Sequence, residues 1–470
     1  MTQAQNGTPP AARTQDSLGR VHFIGIGGVG MSAVARIMVA RGITVSGSDA
    51  KDLPVMAELA AAGARIAVGY DAANLGDAQT VVAGSAIRPD NPELAAARSA
   101  GLPVLHRSEA LAATMAQDTA VTVAGTHGKS TTTSMITVLL QGAGLDPSFA
   151  IGANVPALGV NAASGASPVF IAEADESDGS FLNYRPQIAV VTNVEPDHLD
   201  FYGTAEAVYA SFDRFTELLP ADGLLVACAD DDGARALALR TRDRGNTRVV
   251  LYGTAADADV VLHDGGPGDV WISTAAGKFA VELQVPGRHN ALNAAAAFAV
   301  ALELGVAPET AAGALANFSG ASRRFEFKGA GRGVRVYDDY AHHPTEVRAA
   351  LAAARSVAGD HRVHVLFQPH LFSRTREFAH EFADALNAAD TALLLDIYPA
   401  REDPIPGVTS QLIADHLGPG GRLVGPGEEA VRAVLEAAAP GDIVLTAGAG
   451  DVTAYGPRIV DALTLGAPDA

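Results

Sequence analysis

Cysteine, long apolar runs and positive charge are all scarce in this chain, and each scarcity excludes something. Cys228 is the only cysteine, so no intrachain disulfide exists and the fold must rest on packed cores. No run of about 18 apolar residues free of Gly, Pro and charge occurs, which argues against a membrane-spanning helix. The Ala-rich stretches 291–301 and 349–354 fall in helical patterns and read as packed helices. Residues 1–20 are polar and lack the apolar core of a signal peptide, which predicts a flexible tail and a cytoplasmic protein. The formal net charge of -20 argues against nucleic acid or an anionic membrane as the main partner, because polyanions are bound by clustered positive charge. Any anionic substrate must then be held by local devices.

What is present is apolar content, 48% over 470 residues, enough for two to four cores. Buried-strand patterns at 21–26, 43–48, 65–69, 80–86 and 104–106 alternate with helical ones, which predicts an α/β domain ending near residue 117. A second α/β domain follows, with strands at 120–124, 169–172, 188–192 and 224–228 and a helix at 129–141. Its region 248–286 turns to short strands broken by Gly and Asp. Strands at 334–338, 363–367, 392–397 and 443–446 predict a third α/β domain. The expected limits are a tail at 1–20 and domains at 21–118, 119–322 and 323–470, with the active site at a junction.

Two glycine-rich segments join a strand to a helix. Gly25-Ile26-Gly27-Gly28-Val29-Gly30, with Asp49 at the end of the next strand, fits the GxGxxG pattern of dinucleotide sites. Glycines at a helix N-terminus hold any diphosphate, however, including that of a nucleotide sugar, and a tight turn alone would also use them. The second segment is Gly125-Thr126-His127-Gly128-Lys129-Ser130-Thr131. It places a lysine and a hydroxyl where Walker-type loops do, although Val123 stands at that pattern's first glycine. Lys129 is one of four lysines beside 29 arginines, and a compact ammonium suits bridging β and γ phosphates. Ordinary N-capping by Thr126 or Ser130 would leave Lys129 and both glycines unexplained.

Further candidates sit at strand ends. Glu173, Asp175, Glu176 and Asp178 follow the strand at 169–172, and clustered acids repel unless a cation collects among them. Glu173 is the expected magnesium ligand, against the alternative of a solvated acidic loop. His198, in Thr192-Asn193-Val194-Glu195-Pro196-Asp197-His198-Leu199-Asp200, is a candidate for a second metal, although imidazole is unusual on magnesium. His289 and Asn293 lie one turn apart on a helix, where they suit an adenine edge or, more plainly, helix capping. Arg323-Arg324, Asp338-Asp339-Tyr340-Ala341-His342-His343-Pro344 and Gln368-Pro369-His370 through Arg374 stand at strand ends of the third region, where open α/β sheets bind ligands. Pro344 fits a helix start.

In order along the chain, HFIGIGGVGMS, GTHGKSTTT, EADESDGSFL, TNVEPDHLD, GRHNALNA, RRFE, DDYAHHPTE, FQPHLFSRT and GDIVLTAGAGDV closely resemble the Mur ligase family, in its branch that adds alanine to UDP-N-acetylmuramate. The resemblance spans residues 22–452. It implies an N-terminal Rossmann-like domain holding the UDP-sugar at Gly27, Gly28, Gly30, Ser48, Asp49, Ser85 and Arg107, with Asp175, Glu176 and Ser177 reaching the same substrate. It implies a central P-loop ATPase-like domain that binds ATP through residues 125–131, with His289 and Asn293 toward adenine and Arg324 reaching phosphate from a C-terminal Rossmann-like domain. Two magnesium ions, replaceable by manganese, are implied at Ser130, Glu173 and His198. L-alanine is expected at Tyr340, His342, His370 and Arg374, in a monomer or homodimer. Related ligases carry a carbamylated lysine after the DHLD-like motif, but residues 199–219 hold no lysine, which fits the alanine-adding branch. Where some members have a basic residue after QPH this chain has Leu371, which leaves Arg374 as the expected partner of the amino-acid carboxylate.

The expected chemistry is ATP-dependent amide formation through an acyl phosphate, with Lys129, Arg324 and metal offsetting the repulsion between two anions and His342 as base or orienter. Three rivals remain at this point. A nicotinamide oxidoreductase leaves the second glycine loop unexplained, a recycling ligase would add a preformed tripeptide to the same sugar, and a non-catalytic nucleotide-binding regulator would not need Glu173, His198 and Arg324 together.

Overall fold

The computed structural model of the chain describes residues 13–84, 86–265, 270–400 and 402–465. Its first sheet has five parallel strands, β1 (Val21–Ile24), β2 (Val45–Asp49), β3 (Arg65–Val68), β4 (Thr80–Ala83) and β5 (Val104–His106), in the order β3-β2-β1-β4-β5. Every residue of β1 is buried, as an apolar strand covered on both faces should be. The order reverses between β1 and β4, so the glycine loop after β1 opens at a topological switch point. The helix Val29–Ala40 follows and buries Met31, Val34, Ala35, Ile37 and Met38 at helical spacing.

β1 is shorter than the apolar run 21–26. Gly25 and Ile26 both donate their N–H groups to the Ser48 carbonyl, at 2.8 and 2.9 Å, so the ladder ends while burial continues through Ile26. Apolar character reports burial; it does not mark where the ladder stops.

The parallel body of the second sheet comprises β6 (Thr119–Ala124), β7 (Ser148–Ala150), β8 (Ala162–Ala163), β9 (Val169–Glu173), β10 (Ile188–Val191), β11 (Leu224–Cys228) and β12 (Arg248–Gly253), ordered β12-β11-β10-β6-β9-β7-β8. Only the short β7–β8 pair is antiparallel. β6 is therefore flanked by β9 and β10, whose ends carry the acidic cluster and the Thr192-Asn193 segment. The helix Lys129–Gly142 that follows β6 is buried from Ser130 to Leu140. Three of its buried hydroxyls are satisfied locally, because Thr133, Ser134 and Thr137 donate back to the carbonyls of Lys129, Ser130 and Thr133 at 2.8, 2.6 and 2.8 Å. Each fully buried Ile136, Leu139 or Leu140 contributes about 1.5–3 kcal/mol of anchoring.

In the region of short strands, β12 is parallel to β11 and in register with it, whereas β13 (Val260–Asp264), β14 (Val270–Thr274) and β15 (Gly277–Ala280) form an antiparallel meander. The third sheet contains β16 (Glu326–Gly331), β17 (Val334–Asp339), β18 (Val363–Phe367), β19 (Thr391–Leu394), β20 (Gly421–Leu423) and β21 (Ile443–Ala447), ordered β16-β17-β21-β18-β19-β20, with only the edge strand β16 antiparallel. Strand alternation splits its core in two. Val363, Val365 and Phe367 pack with Val347, Leu351 and Phe382 on one face, while Leu366 and Val336 pack with Val434, Ile459 and Leu463 on the other.

The chain packs as two compact units. One takes the chain up to Asn154, Leu158–Val260 and Ala296–Ala311, and the other takes Val155–Ala157, Val261–Ala295 and the chain from Ala312 onward. Among the described residues no helix is long and apolar enough to cross a membrane.

Candidate functional site

In the first unit, residues 125–128 turn from β6 into the helix Lys129–Gly142. Gly125 has φ +135°, and a Cβ there would press on the Thr192 hydroxyl and stand 3.1 Å from the Asn193 backbone. The loop is framed by the end of β10. Asn193 accepts the His127 N–H at 2.8 Å and donates to the His127 carbonyl at 3.0 Å, and the Thr192 hydroxyl donates to the same carbonyl at 2.6 Å. Thr126 donates to the Glu195 carbonyl at 3.2 Å and accepts its N–H at 2.9 Å. Ser130 and Thr131 are buried at the helix start.

Lys129 folds back over this loop. Its Nζ donates to the Gly125 and Thr126 carbonyls at 2.7 and 3.1 Å and lies 2.9–3.0 Å from both Glu176 carboxylate oxygens. Burial alone would lower the lysine's pKa, but Glu176, Asp175 and Glu173 together raise it, so the ammonium stays charged. Burial pushes Glu176 up to about 7 against the pull of Lys129. Asp175 is likewise opposed by burial, yet Lys129 and the Ser177 hydrogen bonds hold it below the usual carboxylate range. Glu173, at the end of β9, accepts the Gly152 N–H at 2.8 Å.

His198 stands in left-handed backbone, φ 54°, with Nε2 3.8 Å from Glu176 Oε1 and 3.6 Å from Asp197 Oδ2. Tyr202, on the next turn, donates its hydroxyl to the Glu176 carbonyl at 2.6 Å. Lys129, Glu176 and His198 are thus brought together. Glu173, Asp175 and Glu176 all act electrostatically on the one ammonium, and carboxylate oxygens are the donor type that a hard divalent cation takes. Glu176, expected at the sugar, has its carboxylate on Lys129.

The first sheet's loop meets the same unit. The Gly27 N–H donates to Asp49 Oδ2 at 3.0 Å, and the Arg107 guanidinium occupies the space a side chain at position 30 would need. Asp49 and Arg107 therefore flank the glycine loop at Gly27 and Gly30, the stretch expected to line a UDP-sugar groove. Ser48 contributes differently, because its hydroxyl is buried and donates inward to Glu93 at 2.5 Å. Ser85 lies outside the described residues. Asn183 donates to the Ser108 hydroxyl at 2.7 Å, and His106 Nε2 lies 3.8 Å from Asp178 Oδ2, joining the groove to the acidic cluster's loop.

In the second unit the ends of β17, β18 and β21 lie side by side. Arg323 donates to the Gly448 and Gly450 carbonyls at 2.5 and 3.3 Å and lies 3.3 Å from Asp338. The Arg323 and Arg324 guanidinium carbons sit 4.8 and 5.3 Å from the Tyr340 ring centre. Tyr340, His342, His370 and Tyr398 form a chain of rings with centroids 5.1–5.9 Å apart. His342 Nδ1 lies 2.9 Å from the Tyr340 carbonyl and 3.2 Å from Glu346, both acceptors, so this nitrogen is the one that carries a proton. Arg374 is buried on the short helix Phe372–Glu377. His343 caps the helix Pro344–Ala358 through a capping box with Glu346, the plain helix-start role. Burial, aided by Arg324, lowers His289 to about 4, so its ring is neutral, and Asn293 is buried one turn on. Burial also pushes Asp339 up to about 6 against Arg324.

Sequence reasoning did not single out Thr192 and Asn193 as the frame of the Gly125–Gly128 loop, nor Tyr202 or Tyr398. Thr192 and Asn193 at least stood inside a recognised motif; Tyr398 carried no signal.

Residues 20–119 match the Mur ligase family, catalytic domain; residues 123–301 the Mur ligase middle domain; and residues 323–450 the Mur ligase, glutamate ligase domain. The UDP-N-acetylmuramate--L-alanine ligase of Arthrobacter sp. (strain FB24) is 83% identical over 458 residues, 97% of this chain and 98% of that protein. The ligase of the same name from Renibacterium salmoninarum is 65% identical, over 95% of this chain and 97% of its own. Among solved structures, the UDP-N-acetylmuramate-alanine ligase of Thermotoga maritima matches with a TM-score of 0.74 at 28% identity, covering 94% of this chain and 98% of that one. A murein peptide ligase from Psychrobacter arcticus matches with a TM-score of 0.68 at 25% identity, covering 96% and 100%.

Proposed function

The chain belongs to the Mur ligase family, and we propose that it joins L-alanine to the carboxylate of UDP-N-acetylmuramate with cleavage of ATP, a step toward the peptidoglycan precursor. The observation that carries this reading is the full-length likeness to ligases of that name, 83% over 97% of the chain. The half-buried Lys129 beside the Gly125–Gly128 turn supports ATP as the co-substrate. The proposed domain limits are 21–118 for the UDP-sugar, 119–322 for ATP and 323–470 for the amino acid.

In the proposed reaction a carboxylate oxygen of the sugar attacks the γ-phosphorus and ADP leaves, giving an acyl phosphate. The alanine amine then attacks the acyl carbon, a proton passes to His342 Nε2, and inorganic phosphate departs. Lys129 and Arg324 offset the repulsion between the two anions and stabilise charge on the transferring phosphoryl group. A magnesium ion held by Ser130 and Glu173, with His198 at a second, would supply further positive charge at the phosphates. Arg374 would take the alanine carboxylate, and the ring chain from Tyr340 to Tyr398 would orient the amine.

The test is phosphate release from ATP, measured with each substrate omitted in turn. Release should require both UDP-N-acetylmuramate and L-alanine. Release supported by a preformed tripeptide in place of alanine would transfer the reading to a recycling ligase, and release indifferent to the sugar would end it.

A further inference from the structure

We propose that Glu93 is a positioning residue for the nucleotide-sugar site, holding Ser48, Asp49 and the turn at Tyr70 in place from beneath. The inference rests on the reading that the first domain binds the UDP portion.

Glu93 starts the helix Pro92–Ser99 and is completely buried, as is His22 on β1. A buried carboxylate is costly unless its oxygens are met by donors. Four meet this one: His22 Nε2 at 3.2 Å, the Ser48 hydroxyl at 2.5 Å, Asn74 Nδ2 at 2.7 Å and the Asp71 N–H at 3.2 Å. Burial opposes ionisation, but the hydrogen bonds from His22, Ser48, Asn74 and Asp71 prevail and hold the carboxyl below its usual range. Stability alone does not call for this arrangement, since a packed apolar cluster of similar volume serves a core as well or better.

The bonds lead instead to the rim of the groove. The Ser48 carbonyl accepts the Gly25 and Ile26 N–H groups, and the Asp49 carboxylate accepts the Gly27 N–H. The Asp49 carbonyl accepts the Gly69 N–H at 2.7 Å, and Asn74, while donating to Glu93, also donates to the Gly69 carbonyl at 3.0 Å. Glu93 thus controls the glycine loop by two routes, one through Ser48 and one through Asn74, Gly69 and Asp49. Tyr70 lies between the anchored residues Gly69 and Asp71. Its hydroxyl lies 3.9 Å from the Cβ position of residue 25, which sets it against the glycine loop. Ser48, expected as a direct substrate contact, acts here as the link.

The test compares wild type with Glu93→Gln, whose amide turns a donor toward groups that already donate. KM for UDP-N-acetylmuramate should rise about tenfold, while kcat at saturating sugar and KM for ATP stay within about twofold. Calorimetric Kd for the sugar should rise by the same factor. Ser48→Ala and Asn74→Ala should each give a smaller rise, and Glu93→Gln with Ser48→Ala should bind no worse than Glu93→Gln alone, because both act through one route. An unchanged Kd accompanied only by a lower Tm would overturn the proposal, as would additive effects, which would make Ser48 a direct contact. Should Glu93→Gln not fold, the two milder variants decide: a rise in sugar KM in both upholds it, and a rise in neither overturns it. Wild-type protein that fails to bind UDP-N-acetylmuramate would instead remove the underlying reading.

Discussion

Lys129 Nζ stands 2.9 Å from Glu176 Oε2 and 3.0 Å from Oε1, so the lysine of the glycine loop after β6 rests on a buried acid. The ammonium is kept charged and pointed at its own loop before any phosphate arrives. Under the proposed function, a γ-phosphate would exchange for the carboxylate with little reorganisation, which is the condition under which electrostatic stabilisation is effective.

Replacing that lysine should separate the two substrate sites. Lys129→Ala should lower kcat by about a thousandfold or more, while the Kd for UDP-N-acetylmuramate stays within about threefold. Calorimetry on the variant decides, and loss of sugar binding with turnover retained would reverse the assignment.

The pair also makes a stability prediction. Lys129→Met leaves Glu176 buried without its cation and should cost about 3 kcal/mol, whereas Lys129→Met with Glu176→Gln should cost markedly less. Denaturant unfolding of wild type, both single variants and the double variant measures the coupling; strict additivity would mean that the pair is not energetically linked.

Glu173 is the proposed metal ligand, and among the described residues its carboxylate accepts the Gly152 N–H. Glu173→Gln should raise the magnesium concentration for half-maximal turnover by about tenfold or more, with sugar affinity unaffected. A magnesium titration of initial rates reads this directly, and an unshifted midpoint would move the metal elsewhere.

His289 carries a pH signature. Its folded pKa, about 4, lies below the ordinary 6.5, so acid protonates the unfolded chain first. Stability from this group is complete above pH 6.5 and is lost as pH falls toward about 4. The Tm of wild type should therefore drop relative to His289→Gln across that window, and parallel Tm curves would show that the ring titrates normally.

At the ends of β17 and β18, His370→Ala should raise KM for L-alanine about tenfold without a comparable change for ATP. His342→Gln should lower kcat about a hundredfold, with the loss shrinking at alkaline pH where the amine loses its proton unaided. A pH-independent deficit would make His342 an orienting group only.

Much of this was legible because it is local. The turn from β6 into the helix at Lys129, the glycines after β1 and the Pro344 helix start are each written within a few consecutive residues, so strand pattern, glycine and first-turn chemistry revealed them. His343 illustrates the limit from the other side: two adjacent histidines looked functional, and one proved to be a helix cap. Strand ends were blurred, as at Ile26, because burial outlasts the ladder.

The chain's own order of residues determined three α/β sheets, a glycine loop that carries one of only four lysines, and a run of acids at a neighbouring strand's end. Tertiary structure alone decided what those groups touch. Glu176 reaches Lys129 across 47 residues, Asn193 frames His127 across 66, and Glu93 meets His22 across 71. No periodicity of 2 or 3.6 carries such pairings. They arise only when strands distant in sequence lie adjacent in a sheet and burial obliges each charge to find a partner.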